Sequence, residues 1–408
     1  MNESWTGGQY SVYRVLLGGF LVIHFGLLLP YGAEVFGSGG ALASASLSPL
    51  MGVLPNPLAY FDGPAGVAVL LITGVVCGLA LAIGWFDRIA AVLAAMILAW
   101  LFQRNPLIAN PSLPLLGWLL VLHAFVPTRP FGSVSALRQG ADRQWALPRH
   151  LFVAAWVVLA LAYSHSGYTK LFSPAWTDGE TIRLVLQNPL ARDHVLRDFA
   201  LALPPIVLQC VTWAVLVVEL LFAPLALISR LRPLLWCAML GAQLGFLCFL
   251  NFADLTFPML LVHLLTFDPS WVRRAAPRTQ PLLLFDGDCA FCHANVRFAM
   301  MEDRERRLRV APLASEEAAL ALKNISKTWS GDTIVLIDER GHAVKSRAVA
   351  GVLEHLGGIW YLLGRALRAV PRPIADAGYD FVGRIRYRLL GRQPAYCPLP
   401  VHHPQRGP

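Results

Sequence analysis

Eight apolar stretches occupy most of the first two-thirds of this 408-residue chain, roughly at 10–30, 64–84, 88–104, 113–127, 149–169, 204–229, 231–250 and 254–267. A helix needs about 20 apolar residues to cross the hydrocarbon layer of a bilayer. The first, second, fifth, sixth and seventh stretches reach that length. The third, fourth and eighth are short, and each either borrows flanking residues or forms a re-entrant segment. Pro106, Pro111 and Pro114 bracket the third and fourth, and Asn251, Asp254 and Pro258 interrupt the approach to the eighth. Only 14% of residues are charged, which excludes an ordinary soluble protein for most of the length.

Loop charge orients these stretches. Arg129, Arg138, Arg143 and Arg149 face the single Asp142 between the fourth and fifth. Arg230 and Arg232 lie between the sixth and seventh, and Arg273, Arg274 and Arg278 follow the eighth. The 31–63 loop carries Glu34 and Asp62 and no base. Basic loops stay on the cytoplasmic side, so this pattern predicts eight spans with both termini cytoplasmic, in a cell membrane such as the bacterial inner membrane. The polar N-terminus, followed by a long apolar stretch without an Ala-x-Ala pattern, reads as lacking a cleavable signal peptide.

The net charge of +9 is unevenly spread. Residues 1–270 hold 13 Lys+Arg against 12 Asp+Glu, whereas 271–408 hold 21 against 13. A basic segment beside a membrane domain points to anionic lipid as its partner. No stacking aromatics interleave with the bases, so nucleic acid is not expected. Of the seven cysteines, Cys77, Cys210, Cys237 and Cys248 lie in apolar segments and read as small buried hydrophobes.

The remaining chemistry concentrates at Cys289-Ala290-Phe291-Cys292. The apolar run 281–285 predicts a short buried strand, Asp286-Gly287-Asp288 a tight turn, and His293–Met301 a helix. Two cysteines at i and i+3 then share the first helical turn. There the unpaired backbone N–H groups and the helix dipole favour a thiolate. Such a pair can cycle between dithiol and disulfide. Cys289 is expected to be the more exposed, attacking thiol, with Cys292 resolving. Asp286 and Asp288 are candidates for proton transfer or, more simply, for shaping the turn and capping the helix. Arg347 is placed where it could favour a thiolate.

Downstream, strands are predicted at 308–313, 333–338 and 343–346, with a turn at 339–342 and helices near 315–324 and 347–357. A β-α-β core followed by a hairpin and a helix is the thioredoxin pattern. Phe285-Asp286-Gly287-Asp288-Cys289-x-x-Cys292, Ala311-Pro312-Leu313, Asp332–Leu336, Ser346–Val349 and the tail Tyr379–Arg388 resemble the DCC family of thiol-disulfide oxidoreductase-like proteins. Thioredoxins carry a cis-proline just before the third strand; Gly331-Asp332-Thr333 stands in that place here. The alternative for the cysteines is structural zinc, with Cys397, His402 and His403 completing a site, but a zinc pair sits in a hairpin rather than after a buried strand. The reading therefore includes no metal.

A second candidate lies at the outer end of the fifth stretch, in Tyr163–Leu171 followed by Trp176, Gly179 and Glu180. A lysine there is costly unless it snorkels or is used. Gly167-Tyr168-Thr169-Lys170-Leu171, with Trp176, Gly179, Phe257–Leu260, Phe267-Asp268-Pro269 and Trp271, resembles the HTTM family, which includes the vitamin K-dependent gamma-carboxylase. That resemblance implies Lys170 as a base toward a reduced quinone. The chain runs directly into the CxxC region, without a large domain for a propeptide, which weighs against protein carboxylation.

Together these features predict an α-helical multi-pass membrane bundle over 1–272, a linker at 273–280, an α/β thioredoxin-like domain over 281–397 and an irregular tail at 398–408. The expected function is a membrane-bound thiol-disulfide oxidoreductase, acting on a thiol or disulfide protein or small molecule and coupled to a quinone or other lipid-soluble substrate. Alternatives from other classes are a transporter or lipid-modifying bundle regulated by the thiols, and a carboxylase-like enzyme.

Overall fold

The computed structural model describes residues 4–108, 110–272, 279–323 and 333–391. The chain forms two compact units, Tyr10–Phe267 and a second made of Met1–Gln9 with Asp268–Pro408. Residues 273–278, Gly331, Asp332, Cys397, His402 and His403, named above, lie outside the described residues.

Each of the eight apolar stretches is helical: α1 (Gly7–Leu28), α2 (Pro64–Ile83), α3 (Asp87–Arg104), α4 (Ser112–His123), α5 (Arg149–Lys170), α6 (Pro205–Ala226), α7 (Arg232–Phe249) and α8 (Ala253–Thr266). Among the described residues, five helical segments are long and apolar enough to cross a membrane: Gly7–Phe36, Pro64–Ile83, Arg149–Lys170, Pro205–Ala226 and Arg232–Phe249. These are the stretches that reach spanning length in sequence. α4 and α8 are too short, and α3 carries Asp87, Arg88 and Arg104.

The helical unit exposes many apolar side chains and buries several charges within an otherwise apolar interior. Val69, Ile72 and Val76 on α2 are exposed, while Arg14 and Arg104 are fully buried. Arg14 donates to the carbonyls of Leu81 (2.8 Å) and Ala82 (2.9 Å). Arg104 donates to the Leu42 carbonyl (2.8 Å) and pairs with Asp62 at 3.2 Å. Buried charge with fixed partners and an apolar exterior is the arrangement that suits hydrocarbon as solvent. A Cβ at Gly167 would collide with the backbone of Leu220, so this glycine sets the close approach of α5 and α6.

The second unit contains a four-stranded mixed sheet, built from β1 (Leu282–Phe285), β2 (Arg309–Pro312), β3 (Val335–Asp338) and β4 (Gly341–Val344) in the order β2-β1-β3-β4. β1 runs parallel to β2 and antiparallel to β3, and β3 and β4 form a hairpin. β1 is buried on both faces. Leu283 and Phe285 pack with Val296, Leu336 and Ala348 on one side, and Leu282 and Leu284 with Ala311, Ala318 and Val335 on the other. That is why its sequence is a continuous apolar run rather than an alternating one.

Helices α9 (Ala290–Glu302), α10 (Glu316–Leu322), α11 (Lys345–Leu356), α12 (Gly358–Ala369) and α13 (Arg372–Leu390) surround this sheet. The hairpin departs from expectation. Asp338 pairs directly with Gly341, so the turn holds only Glu339 and Arg340, and β4 ends at Val344. Asp338 Oδ1 accepts the Arg340 N–H at 2.9 Å, which closes the turn early and moves Lys345 and Ser346 from a strand into α11.

The far end of α9 is anchored to the N-terminal segment. Buried Glu302 accepts from Gly8 N (2.8 Å), from Trp360 Nε1 (2.6 Å) and from the Thr6 hydroxyl. Arg304 donates to the Trp5 carbonyl at 2.9 Å and to the Ser4 hydroxyl at 2.8 Å. These bonds fix the helix whose first turn carries the cysteines.

Candidate functional site

Cys289 is the N-cap of α9, with extended backbone (φ −100°, ψ 112°). Its Sγ accepts the Cys292 N–H at 3.2 Å. The sulfur thereby takes up one of the otherwise unpaired N-terminal amides of the helix. The Sγ atoms of Cys289 and Cys292 and a carboxylate oxygen of Asp286 all lie within 4.8 Å of one another.

The exposure of the pair is the reverse of the sequence expectation. Cys289 has no exposed surface, whereas Cys292 is partly exposed. The N-cap conformation turns the first sulfur back over the helix end, and the second, one turn on, keeps part of its surface exposed. Burial pushes the Cys292 thiol up, and the adjacent Cys289 sulfur adds to this; Arg386 opposes the shift and Asp286 reinforces it.

Asp286 does two things. Its Oδ1 accepts the Asp288 N–H at 3.0 Å, which shapes the turn. Its Oδ2 accepts from Arg386 Nη2 (3.0 Å) and from the Tyr387 hydroxyl (2.7 Å). That bond to the carboxylate raises the Tyr387 pKa. Arg386 is 5% exposed, and its Nη1 lies 3.8 Å from Cys292 Sγ. Asp288 is exposed at the surface of the turn. His293 Nε2 donates to the Gly287 carbonyl (2.7 Å), and the ring packs edge-on against Phe285.

The guanidinium near the thiols is therefore Arg386, not Arg347. Arg347 Nη1 donates to the Arg368 carbonyl at 2.7 Å and ties α11 to the end of α12. Arg386 and Tyr387 lie about a hundred residues beyond the cysteines, and the spacing around the CxxC gives no hint of them. The one available signal was the tail Tyr379–Arg388, which figures above as a family motif but not as part of a site.

α13 is fixed over the sheet by a series of bonds. Ser346 Oγ donates to Asp376 Oδ1 (2.5 Å), Lys345 Nζ pairs with Asp380 (2.8 Å), and Ile334 N donates to the Tyr379 hydroxyl (3.0 Å). Beneath it lies a cavity of about 500 Å³ lined by Cys292, Asp286 and Arg386 among mostly apolar side chains.

Lys170 belongs to the helical unit. It forms an ion pair with buried Glu219, donates to Ser166 Oγ at 2.9 Å, and holds its ammonium 4.6 Å from the centre of the Trp176 ring. Glu219 was not singled out from sequence, although a lone carboxylate within an apolar span is itself a signal.

The family of DCC1-like thiol-disulfide oxidoreductases matches residues 283–392. The uncharacterized protein YuxK of Bacillus subtilis is 34% identical over 120 residues, which cover 29% of this chain and 86% of that protein. A chloroplastic DCC family protein of Arabidopsis thaliana is 30% identical over 114 residues, 28% of this chain and 66% of its own length. No solved structure matches the chain.

Proposed function

This chain belongs to the DCC1-like thiol-disulfide oxidoreductase family, and on that premise we propose that it is a membrane-bound enzyme whose Cys289–Cys292 pair cycles between dithiol and disulfide. The observation that carries this reading is the local geometry. One sulfur caps a helix N-terminus, the other stands beside a buried guanidinium, and the two are close enough to join with little movement. Asp286 positions Arg386 and Tyr387 at the pair, and Asp288 completes the turn.

A redox titration of the full-length protein in nanodiscs tests this. Thiol trapping should follow a two-electron curve, and peptide mapping should place the disulfide between Cys289 and Cys292. The double variant Cys289→Ser/Cys292→Ser should lose the transition. Stoichiometric zinc in a protein that does not titrate would replace the redox reading with a structural-metal one.

The apolar helices, with buried charge and an apolar exterior, support an HTTM-like bundle in the bilayer. Their loop charges support a cytoplasmic redox domain. A membrane-impermeant maleimide should then leave Cys292 unlabelled on intact cells and label it after permeabilisation. Labelling of intact cells would place the thiols outside.

The bundle's partner in this scheme is a quinone, whose apolar ring and tail partition into lipid. A bound quinone would supply the sink for the two electrons and two protons that the thiol pair gives up on oxidation. A quinone bound at the outer end of α5 would find Lys170, held by Glu219, as the group able to exchange a proton with its oxygen.

A further inference from the structure

Building on the thiol-redox reading, we propose that the substrate is a small lipophilic dithiol held in the cavity beneath α13, and that its sulfur meets the disulfide at Cys292, with Cys289 as the thiol that leaves. At about 500 Å³ the cavity falls within the range of about 300–1,000 Å³ usual for small-molecule sites. Leu283, Phe285, Val296, Val349, Val352 and Val382 supply apolar wall, and Cys292, Asp286 and Arg386 are joined in the polar lining by Asn295, Thr333, Ser346 and Tyr379. Cys292 lines the cavity and Cys289 has no exposed surface, so the accessible sulfur is the second of the motif.

A polypeptide substrate fits this face poorly. An extended chain docks on such a sheet through free main-chain amides. Here the Ile334 N–H, next to β3, already donates to Tyr379 Oη on α13 at 3.0 Å. The same helix supplies Val382 and Arg386 to the cavity, so it closes over a compact ligand rather than leaving a groove.

The exchange balances without a further reagent. A ligand thiolate attacks Cys292 Sγ, and the Cys289–Cys292 bond breaks. Cys289 departs as the thiolate, with the Cys292 N–H at 3.2 Å to receive its charge. The ligand's second thiolate then attacks the ligand sulfur of the mixed disulfide and expels Cys292 as thiolate, beside the Arg386 guanidinium at 3.8 Å. Two electrons and two protons pass from ligand to protein, and the ligand leaves as a disulfide. The reverse exchange runs through the same mixed disulfide on Cys292.

That intermediate can be trapped. Full-length wild type, Cys289→Ser and Cys292→Ser are reduced, freed of reductant and treated with diphenyl disulfide, and adducts are mapped by peptide mass spectrometry. Cys289→Ser should carry a stable phenylthio group on Cys292. Cys292→Ser should carry none on Cys289 in the same time, and wild type should end as the intramolecular disulfide. With each rate normalised to that of free dithiothreitol, diphenyl disulfide should outpace oxidised glutathione by about tenfold or more. Val349→Phe, which fills the cavity, should reduce that preference; if it does not fold, Ala375→Leu serves the same purpose. An adduct on Cys289 alone, or equal normalised rates for the two disulfides, overturns the proposal. A wild-type protein that forms no Cys289–Cys292 disulfide with either reagent overturns the redox reading beneath it instead.

Discussion

Replacing Arg386 with Met should make the Cys289–Cys292 disulfide harder to reduce, lowering its midpoint potential by about 30–60 mV. Arg386 is buried and lies 3.8 Å from Cys292 Sγ. Its charge stabilises the reduced pair when either sulfur is ionised and does little for the neutral disulfide. A hydrogen bond to a charged group contributes about 1.5–3 kcal/mol. For a two-electron couple about 1.4 kcal/mol corresponds to 30 mV, which sets the expected shift. Cys292 should also alkylate more slowly, because burial already holds its thiol up and Arg386 is the group opposing that. Arg386→Lys should recover part of the potential, since it keeps the charge but cannot reach Asp286, Tyr387 and the sulfur from one planar fork. A glutathione-buffered titration read by thiol trapping measures both variants. If Arg386→Met melts at a lower temperature with its potential unchanged, Arg386 is a scaffold for α13 and not a tuner of the thiols.

The second large effect is expected in the helical unit. Lys170→Met leaves Glu219 buried with its counter-ion gone, and breaking a buried pair from one side costs about 3–5 kcal/mol. The variant should therefore unfold at markedly lower temperature or denaturant concentration in detergent. Lys170→Arg keeps the positive charge opposite Glu219 and should stay folded. A guanidinium does not give up its proton, so this variant should lose quinone-coupled turnover by about 100-fold or more if Lys170 handles a proton. Its thiol titration should remain as in wild type, because the cysteines belong to the other unit. Full quinone turnover in Lys170→Arg would reduce Lys170 to the structural partner of Glu219 and the Trp176 ring.

Sequence accounts well for the elements and poorly for their partners. Each apolar stretch became a helix, because a long apolar run bounded by breakers is a signal that length and composition alone report. β1 and the turn into α9 were equally legible: an apolar run, an Asp-Gly-Asp turn and a capped helix start are local features. The hairpin was displaced because a two-residue turn, closed by the Asp338 side chain, competes with the longer one that Glu339–His342 suggests.

The order of exposure of the two thiols lay beyond that reach. The i, i+3 spacing places both cysteines on one turn, but the N-cap rotation of Cys289 and the packing of α13 decide which sulfur keeps part of its surface exposed. Arg386 and Tyr387 reach Asp286 only because Ser346, Lys345 and Ile334 hold α13 across the sheet. Lys170 likewise finds Glu219 only because Gly167 lets α5 and α6 approach closely. By itself the sequence determined an apolar helical region and a strand–turn–helix bearing a dithiol, since periodicity, capping and turn chemistry act over a few residues. Tertiary structure alone decided which sulfur is accessible and which charges face the sulfurs and Lys170, since those contacts join residues about 50 to 100 positions apart and exist only once the helices have packed.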